Sequence, residues 1–461
     1  MPADLSPGSA PLPASTPLPA SAPIPTPLPA SAPSTRSMSP APAGRRVPRG
    51  VVGAAAAAAL IVALPLTACA QSAAPNGSSG PAPGSAADPG SAADAGSVDT
   101  DSLGSLAPER PLPPGPEVTV DSVADGFTIP WDVVRDPTGV IITGERGSGQ
   151  LHAIGPDGER STIEADLSVF GVGESGLMGL ALAHDFETSR EVYTCHSHDG
   201  DVRDNRVTAW QAADDWSRLE SPRVLVEGMP IADNGRHSGC RILAHPDDTL
   251  YIATGDAATG SNPQDLDSLG GKILRITRTG EPAEGTIGDS PILTYGHRNV
   301  QGLALRPGAD DQILAAEHGP DVDDEVNLVI PGGNYGWDPD GVGGRYDESV
   351  PMTDLRAFPD AVEASWRSGA PTLAPGGAAF LDDPAWGEWD GALAVSMLKT
   401  SQIVLMKLSE DGRSVTETST ILREEHGRLR SVTAEPDGSL LVTTSNGGGD
   451  DEVLRIRPAG G

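Results

Sequence analysis

Beyond Glu117 the apolar residues fall in short alternating runs, the period of strands that bury one face, and no long helical period interrupts them. The runs recur in a frame. Four of them follow a Pro-Asp-Gly-like turn: Asp136 to Gly139 before VIITGE, His245 to Asp248 before TLYIATGD, Arg306 to Ala309 before QILAAE, and Glu435 to Gly438 before SLLVTTS. Two less regular copies start at Gly179 (GLALAHDFETSREVYTCHS) and Gly377 (GAAFLDDPAWGEWDGALAVSM). Between the copies lie further strand-like tags, GQLHAI, GKILRI, DEVNLV, SQIVLMKL and DEVLRI. Each unit reads as strand, tight turn, strand and a third strand, with Gly, Asn and Asp supplying the positive-φ turn positions. Six units over residues 117–458 average about 57 residues each, within reach of a four-stranded blade with its loops. The pattern predicts an all-β, six-bladed β-propeller; a β-sandwich is the alternative, and the regular recurrence counts against it.

The first 116 residues have a different texture. Residues 1–43 are almost wholly Ala, Pro, Ser and Thr, which cannot bury a core and are predicted to be disordered. Arg45, Arg46 and Arg49 then precede an uncharged apolar run from Val51 to Leu66, too short to span a bilayer comfortably but suited to a signal peptide. The run closes on Leu66-Thr67-Ala68-Cys69, which resembles a bacterial lipobox, so residues 1–68 read as a leader and Cys69 as a lipidated mature N-terminus. Met38 is an alternative start that would leave a signal peptide of ordinary length. Residues 69–116, rich in Ala, Gly, Ser, Pro and Asp, form a tether reaching roughly 35–40 Å as a coil. The chain is therefore expected outside the cell membrane, touching it only through the lipid.

Composition agrees with strands and turns: 56 Gly and 44 Pro against 4% aromatic residues. A formal charge of −33 excludes nucleic acid as a partner and disfavours anionic lipid surfaces. Two cysteines remain beyond Cys69. Cys195 and Cys240 fall in neighbouring units and either form a bridge, which an exported protein permits, or stay as buried thiols.

Against that acidic background several clusters carry chemistry. His237, in Gly235-Arg236-His237-Ser238-Gly239, has a side chain suited to a general base near neutral pH, although a lone histidine is more often a core residue. The Arg298-Asn299 pair is able to fork onto carboxylate or carbonyl oxygens. Asp323, Asp324 and Glu325, beside the Gly319-Pro320 turn, offer hard oxygens of the kind Ca²⁺ takes, or else a solvated loop. Strand alternation would put Arg428 and Arg430 on one face; with Lys399 they predict a cationic pocket for a multiply charged anion.

The strings GESGLMGLALAHDF, HSGCRILAHPDDTLYIATGD, QDLDSLGGKILRI, YGHRNVQGLAL, EHGPDVDDEVNLVIPGGNYGW and GRLRSVTAEPDG, in this order, resemble the soluble pyrroloquinoline quinone (PQQ) dependent glucose and aldose sugar dehydrogenases over nearly all of 117–458. The resemblance implies a propeller that binds PQQ and Ca²⁺ at its funnel and oxidises a sugar or polyol hydroxyl, passing electrons to an acceptor. It implies His237 as the base and Asp256 as the acid assisting it. Arg298, Asn299, Lys399, Arg428 and Arg430 match cofactor-holding positions, and the carbonyls of Gly319 and Pro320 match calcium ligands. Glu174 stands near the quinone where glucose-oxidising members usually carry glutamine, and its carboxylate is expected to add negative charge there. Ala370 lacks the aromatic that some glucose enzymes place over the sugar. A non-catalytic propeller that binds a ligand or protein partner is the competing reading. A calcium-dependent lactonase would leave the Lys/Arg pocket without a purpose.

Overall fold

The computed structural model describes residues 112–309, 312–341 and 344–459. The predicted leader, the lipobox Cys69 and the tether up to residue 111 lie outside them.

Six antiparallel four-stranded sheets follow one another as blades. Blade 1 is built from Pro130–Arg135, Ile141–Glu145, Leu151–Ile154 and Arg160–Ile163, and blade 2 from Leu177–Leu182, Glu191–His198, Asp204–Ala212 and Leu219–Met229. Blade 3 comprises Gly239–Ala244, Thr249–Thr254, Lys272–Thr277 and Ile292–Tyr295; blade 4 comprises Val300–Leu305, Ile313–Glu317, Glu325–Leu328 and Trp366–Arg367. Blade 5 takes Pro375–Phe380, Leu393–Met397, Gln402–Leu408 and Val415–Ile421. Blade 6 takes Leu429–Ala434, Leu440–Thr444 and Asp451–Pro458, and its outer strand is Val118–Phe127 from the other end of the domain. That strand pairs Val118 with Pro458 and Val120 with Ile456, closing the ring with strands from both chain ends. The first strands of successive blades pack side by side around the ring and line its channel.

The repeated turns join the first and second strands of a blade. In blade 1, Asp136 Oδ1 accepts from the amides of Thr138 (2.8 Å) and Val140 (2.9 Å), while Gly139, at φ 98°, donates back to the Asp136 carbonyl. The two irregular copies replace this turn with a short helical segment, Phe186–Ser189 in blade 2 and Pro384–Trp389 in blade 5. Phe186, Trp386 and Trp389 are buried, so the extra residues bury apolar area instead of adding a solvated loop.

Apolar side chains form six clusters, one at each junction between neighbouring blades. Leu180, Trp210 and Ile142 join blades 1 and 2, for example, and Phe380, Met406 and Leu314 join blades 4 and 5. Strand alternation has this consequence: each sheet is apolar on both faces because both faces meet another sheet. A second regularity was not visible in the sequence. Every inner strand carries a register shift near its start, at Pro130/Asp132, Leu177/Leu180, Gly239/Arg241, Val300/Gly302, Pro375/Ala378 and Leu429/Ser431. A bulge leaves its extra residue out of the ladder and re-aims the side chain. Trp131, Cys240, Gln301 and Arg430 occupy such positions, all at one end of the channel.

Candidate active site

Two series of loops meet at that end. One enters the inner strands and carries Glu174, His237, Arg298, Asn299 and Arg428. The other leaves the second strands and carries Arg146, Asp256, Gly319 and Lys399. Because the repeat places equivalent loops on the same rim, residues from all six blades come together there.

His237 and Asp256 form the centre. His237 is buried and its Nδ1 lies 2.8 Å from Asp256 Oδ1. Asp256 is fully buried and accepts three further hydrogen bonds: Ala258 N at 2.7 Å on Oδ1, with Trp337 Nε1 at 2.9 Å and the Tyr346 hydroxyl at 2.6 Å on Oδ2. A carboxylate so surrounded by donors stays an acceptor. It therefore holds the proton of the imidazole on Nδ1 and leaves Nε2 as the basic nitrogen. Among the described residues nothing hydrogen-bonds to Nε2. His237 itself sits at φ 54°, a left-handed conformation unusual for a residue with a side chain. The backbone accommodates it because a glycine faces it: a Cβ on Gly255 would stand 1.9 Å from the His237 carbonyl oxygen.

Glu174 carries its charge beside this pair, held by hydrogen bonds. Its Oε2 accepts from the His237 amide (3.2 Å) and from Asn299 Nδ2 (3.1 Å). Asn299 in turn accepts from Gly239 N and Gln301 Nε2, both at 3.1 Å, and Gln301 Oε1 accepts from Arg430 (2.9 Å). A continuous chain of hydrogen bonds thus runs from the base to the cationic wall.

That wall is built from arginines. Arg430 is buried, and desolvation followed by the Arg146 charge pushes its pKa down to about 9. The Nε atoms of Arg146, Arg298 and Arg430 are buried without a hydrogen-bond partner. Arg298 spends its other nitrogens on the His318 carbonyl (3.2 Å) and Glu348 (2.6 Å). The half-buried His318 feels the same field: burial, then Arg430 and Arg298, lowers its pKa to about 3. Below the wall, Arg241 pairs with Asp132 (2.5 Å) and lies over the Trp131 ring (4.2 Å), forming a polar plug across the channel. A cavity of about 480 Å³ opens on the far side of this plug, lined by the later halves of the inner strands, and is separate from the site.

Two sequence expectations need correction. Arg428 and Arg430 do not share a strand face. The strand starts at Leu429, the bulge falls at Arg430, and Arg428 stays exposed while Arg430 is buried. Lys399, also exposed, stands at the rim and donates to Thr372 Oγ1 at 3.1 Å. The acidic run is also not a set of free hard ligands. Asp324 turns inward to accept from the amides of Gly319 (2.9 Å) and Ala374 (2.8 Å), and Glu325 accepts from Thr353 and Arg367. No group of three His, Cys, Asp or Glu side chains able to hold a metal exists among the described residues. Asp324 instead shapes the Gly319-Pro320 turn, where a Cβ on Gly319 would meet the Val322 carbonyl oxygen at 2.2 Å.

Cys195 and Cys240 are bridged, with Cα atoms 5.5 Å apart, joining the second strand of blade 2 to the inner strand of blade 3 three residues after His237. Sequence reasoning overlooked Arg146, Trp337, Tyr346 and Glu348. The signal for Arg146 was present, since VIITGER ends in register with YIATGD and ILAAEH. Tyr346 and Glu348 had none: they sit on a hairpin, Asp340–Gly341 with Arg345–Tyr346, inserted between the third and fourth strands of blade 4.

Comparison with known proteins agrees with this geometry. The model of the Glucose / Sorbosone dehydrogenase family matches residues 127–455. The aldose sugar dehydrogenase of Escherichia coli is 30% identical over 358 residues, covering 74% of this chain and 93% of that protein. Among solved structures, a putative oxidoreductase (glucose dehydrogenase) of Thermus thermophilus is 37% identical at a TM-score of 0.63, covering 74% of this chain and 100% of its own. A PQQ-bound aldose sugar dehydrogenase of Streptomyces coelicolor is 30% identical at a TM-score of 0.61, covering 75% of this chain and 99% of its own. With a family match over most of the propeller, and with the funnel residues in the order the motifs set, the chain belongs to the glucose/sorbosone dehydrogenase family.

Proposed function

We propose that this protein is a PQQ- and Ca²⁺-dependent dehydrogenase that oxidises a hydroxyl group of a sugar or polyol. One observation carries the reading: buried, unpartnered guanidinium donors converge beside a His–Asp pair whose outer nitrogen is free to accept a proton. Such donors fit a planar tricarboxylate, which would supply the acceptor atoms that the protein lacks. Arg298, Asn299, Arg428 and Arg430 would hold the cofactor, with Lys399 reaching in from the rim. The carbonyls of Gly319 and Pro320 would face Ca²⁺. When bound, PQQ supplies a two-electron acceptor for hydride and Ca²⁺ a Lewis acid that polarises it.

The chain's own residues handle the proton. His237 Nε2 takes it from the substrate hydroxyl, and Asp256 stabilises the resulting imidazolium through Nδ1. Glu174 orients the His237 backbone and lies close enough to Asn299 to border the substrate. Electrons then leave to an external acceptor. The lipobox supports an exported protein held to the outer face of the cell membrane by lipidated Cys69.

Calorimetry of PQQ binding to the 112–461 domain, with Ca²⁺ and with chelator, tests the proposal. Binding only with Ca²⁺ is the expected result. Absence of heat in both conditions would remove the enzyme reading in favour of a propeller that binds some other ligand.

A further inference from the structure

Arg146 has no role in the motifs that define the family resemblance, yet it shares the physical signature of Arg298 and Arg430. All three have a buried Nε with no hydrogen-bond partner. Arg146 directly follows the second strand of blade 1, in the same series of rim loops that carries Asp256 and Gly319 in blades 3 and 4. Its backbone is held at the junction of blades 1 and 2: the amide donates to the Ile129 carbonyl (3.0 Å) and the carbonyl accepts from Leu177 N (2.9 Å). The side chain lies within electrostatic reach of Glu174, Arg428 and Arg430. Among the described residues no ion pair or hydrogen bond reaches its guanidinium.

A guanidinium in this position is electrostatically unsatisfied. Burial removes part of its hydration, Arg428 and Arg430 repel it, and Glu174 attracts it without a hydrogen bond, its Oε2 being taken by His237 N and Asn299. A structural arginine usually closes on a carboxylate or on carbonyl oxygens; this one closes on neither. An anion entering among Arg146, Arg428 and Arg430 would remove both the repulsion and the missing hydrogen bond.

We propose that Arg146 is an anion-binding residue of the funnel, the cation on the blade 1 side that completes the grip of Arg428 and Arg430 on a polycarboxylate ligand. The identity of that ligand as PQQ rests on the functional reading above. The site itself rests on this chain's own unpaired donors. Glu174 then acts as a partial counter-charge while the funnel holds no ligand, and its carboxylate is offset by Arg146 when the cofactor is present.

The test uses Arg146→Met in the 112–461 domain, with two readouts that need no turnover. PQQ affinity with Ca²⁺, measured by calorimetry, is expected to fall about ten- to a hundredfold, the loss of one charge-assisted hydrogen-bonding group. The melting temperature of the ligand-free domain is expected to stay the same or rise, because the substitution removes a buried, repelled charge. This opposition of signs separates ligand binding from a structural role. A ligand-free melting temperature that drops together with the affinity would make Arg146 a structural residue and overturn the proposal, as would PQQ affinity within about twofold of the parent. If the parent domain fails to bind PQQ, the functional reading fails, and a planar tricarboxylate probe without calcium, benzene-1,3,5-tricarboxylate, decides the site alone. Thermal stabilisation of the parent but not of Arg146→Met by that probe supports the anion site, and equal stabilisation, or none in either protein, overturns it.

Discussion

Asp256→Asn changes one atom and removes one charge, and the structure permits an estimate of its cost. The carboxylate accepts four hydrogen bonds, two on each oxygen: His237 Nδ1 and Ala258 N on Oδ1, Trp337 Nε1 and Tyr346 on Oδ2. An asparagine presents one acceptor and one NH₂. If the NH₂ faces Oδ2's former partners, Tyr346 is able to rotate and accept, but the Trp337 N–H has no acceptor. If it faces the other pair, the Ala258 N–H is orphaned and the imidazole must shift its proton to Nε2. Either arrangement leaves one obligatory donor unsatisfied inside the protein, at about 1–3 kcal/mol, and weakens the remaining charge-assisted bonds. The total is a destabilisation of about 3 kcal/mol, read by urea unfolding of the ligand-free domain. Activity of the loaded enzyme reports the orientation: a fall of roughly ten-thousandfold marks the second arrangement, in which the basic nitrogen is lost with the tautomer, and a smaller fall marks the first. A double-mutant cycle with Trp337→Phe reports it as well: in the first arrangement the orphaned donor is gone from the double variant, so the pair should cost about 1–2 kcal/mol less than the sum of the singles, and in the second the two costs add. An asparagine variant within about 1 kcal/mol of the parent would refute the donor count as the source of the effect.

Three further outcomes follow from the same geometry. His237→Ala should keep PQQ affinity by calorimetry while losing roughly a hundred- to ten-thousandfold in turnover; retention of about a tenth of the rate would identify another base. Replacing Cys195 and Cys240 together by alanine opens a loop with a sequence separation of 45 and should cost about 4 kcal/mol by the chain-entropy relation, seen as a lower urea midpoint; an unchanged midpoint contradicts it. Glu325, buried beside Glu317 with Asn327 Nδ2 donating to both, has its pKa pushed up to about 8, first by desolvation and then by the Glu317 charge. The folded state thus holds a proton that the unfolded chain releases from about pH 4.5 upward, so stability should decline from there to about pH 8 and then level off. Glu325→Gln should flatten that slope in unfolding midpoints taken across pH, and an unaltered slope would clear Glu325 of the effect.

Much of this was legible along the chain because it depends on local spacing. Alternation and turn chemistry act within a few residues, so the four regular turns, the two irregular copies and the six units could be counted before any contact was known. His237, Asp256, Arg298, Asn299 and Arg430 were identifiable from motifs, and the fold brings them to one rim. That convergence follows from the repeat, which sends every equivalent loop to the same end of the channel.

Tertiary structure decided the rest, where the outcome depends on partners far apart in sequence. Alternation alone put Arg428 with Arg430, but the bulge that separates them is imposed by the ring of inner strands, which six blades must build together. The resemblance marked Glu174 as a departure without naming its partners, and charge alone offered Asp324 as a hard ligand or a solvated loop residue. Burial then committed each to donors on neighbouring segments, Asn299 and the His237 amide for one, Gly319 and Ala374 for the other. The closing strand Val118–Phe127 and the hairpin bearing Tyr346 carry no mark of their destinations, since their partners lie over 300 residues away in one case and about 90 in the other. Sequence by itself determined which side chains were available and how often they recur; packing of six sheets around one axis determined which of them meet, which are desolvated, and which are left with a hydrogen bond to give.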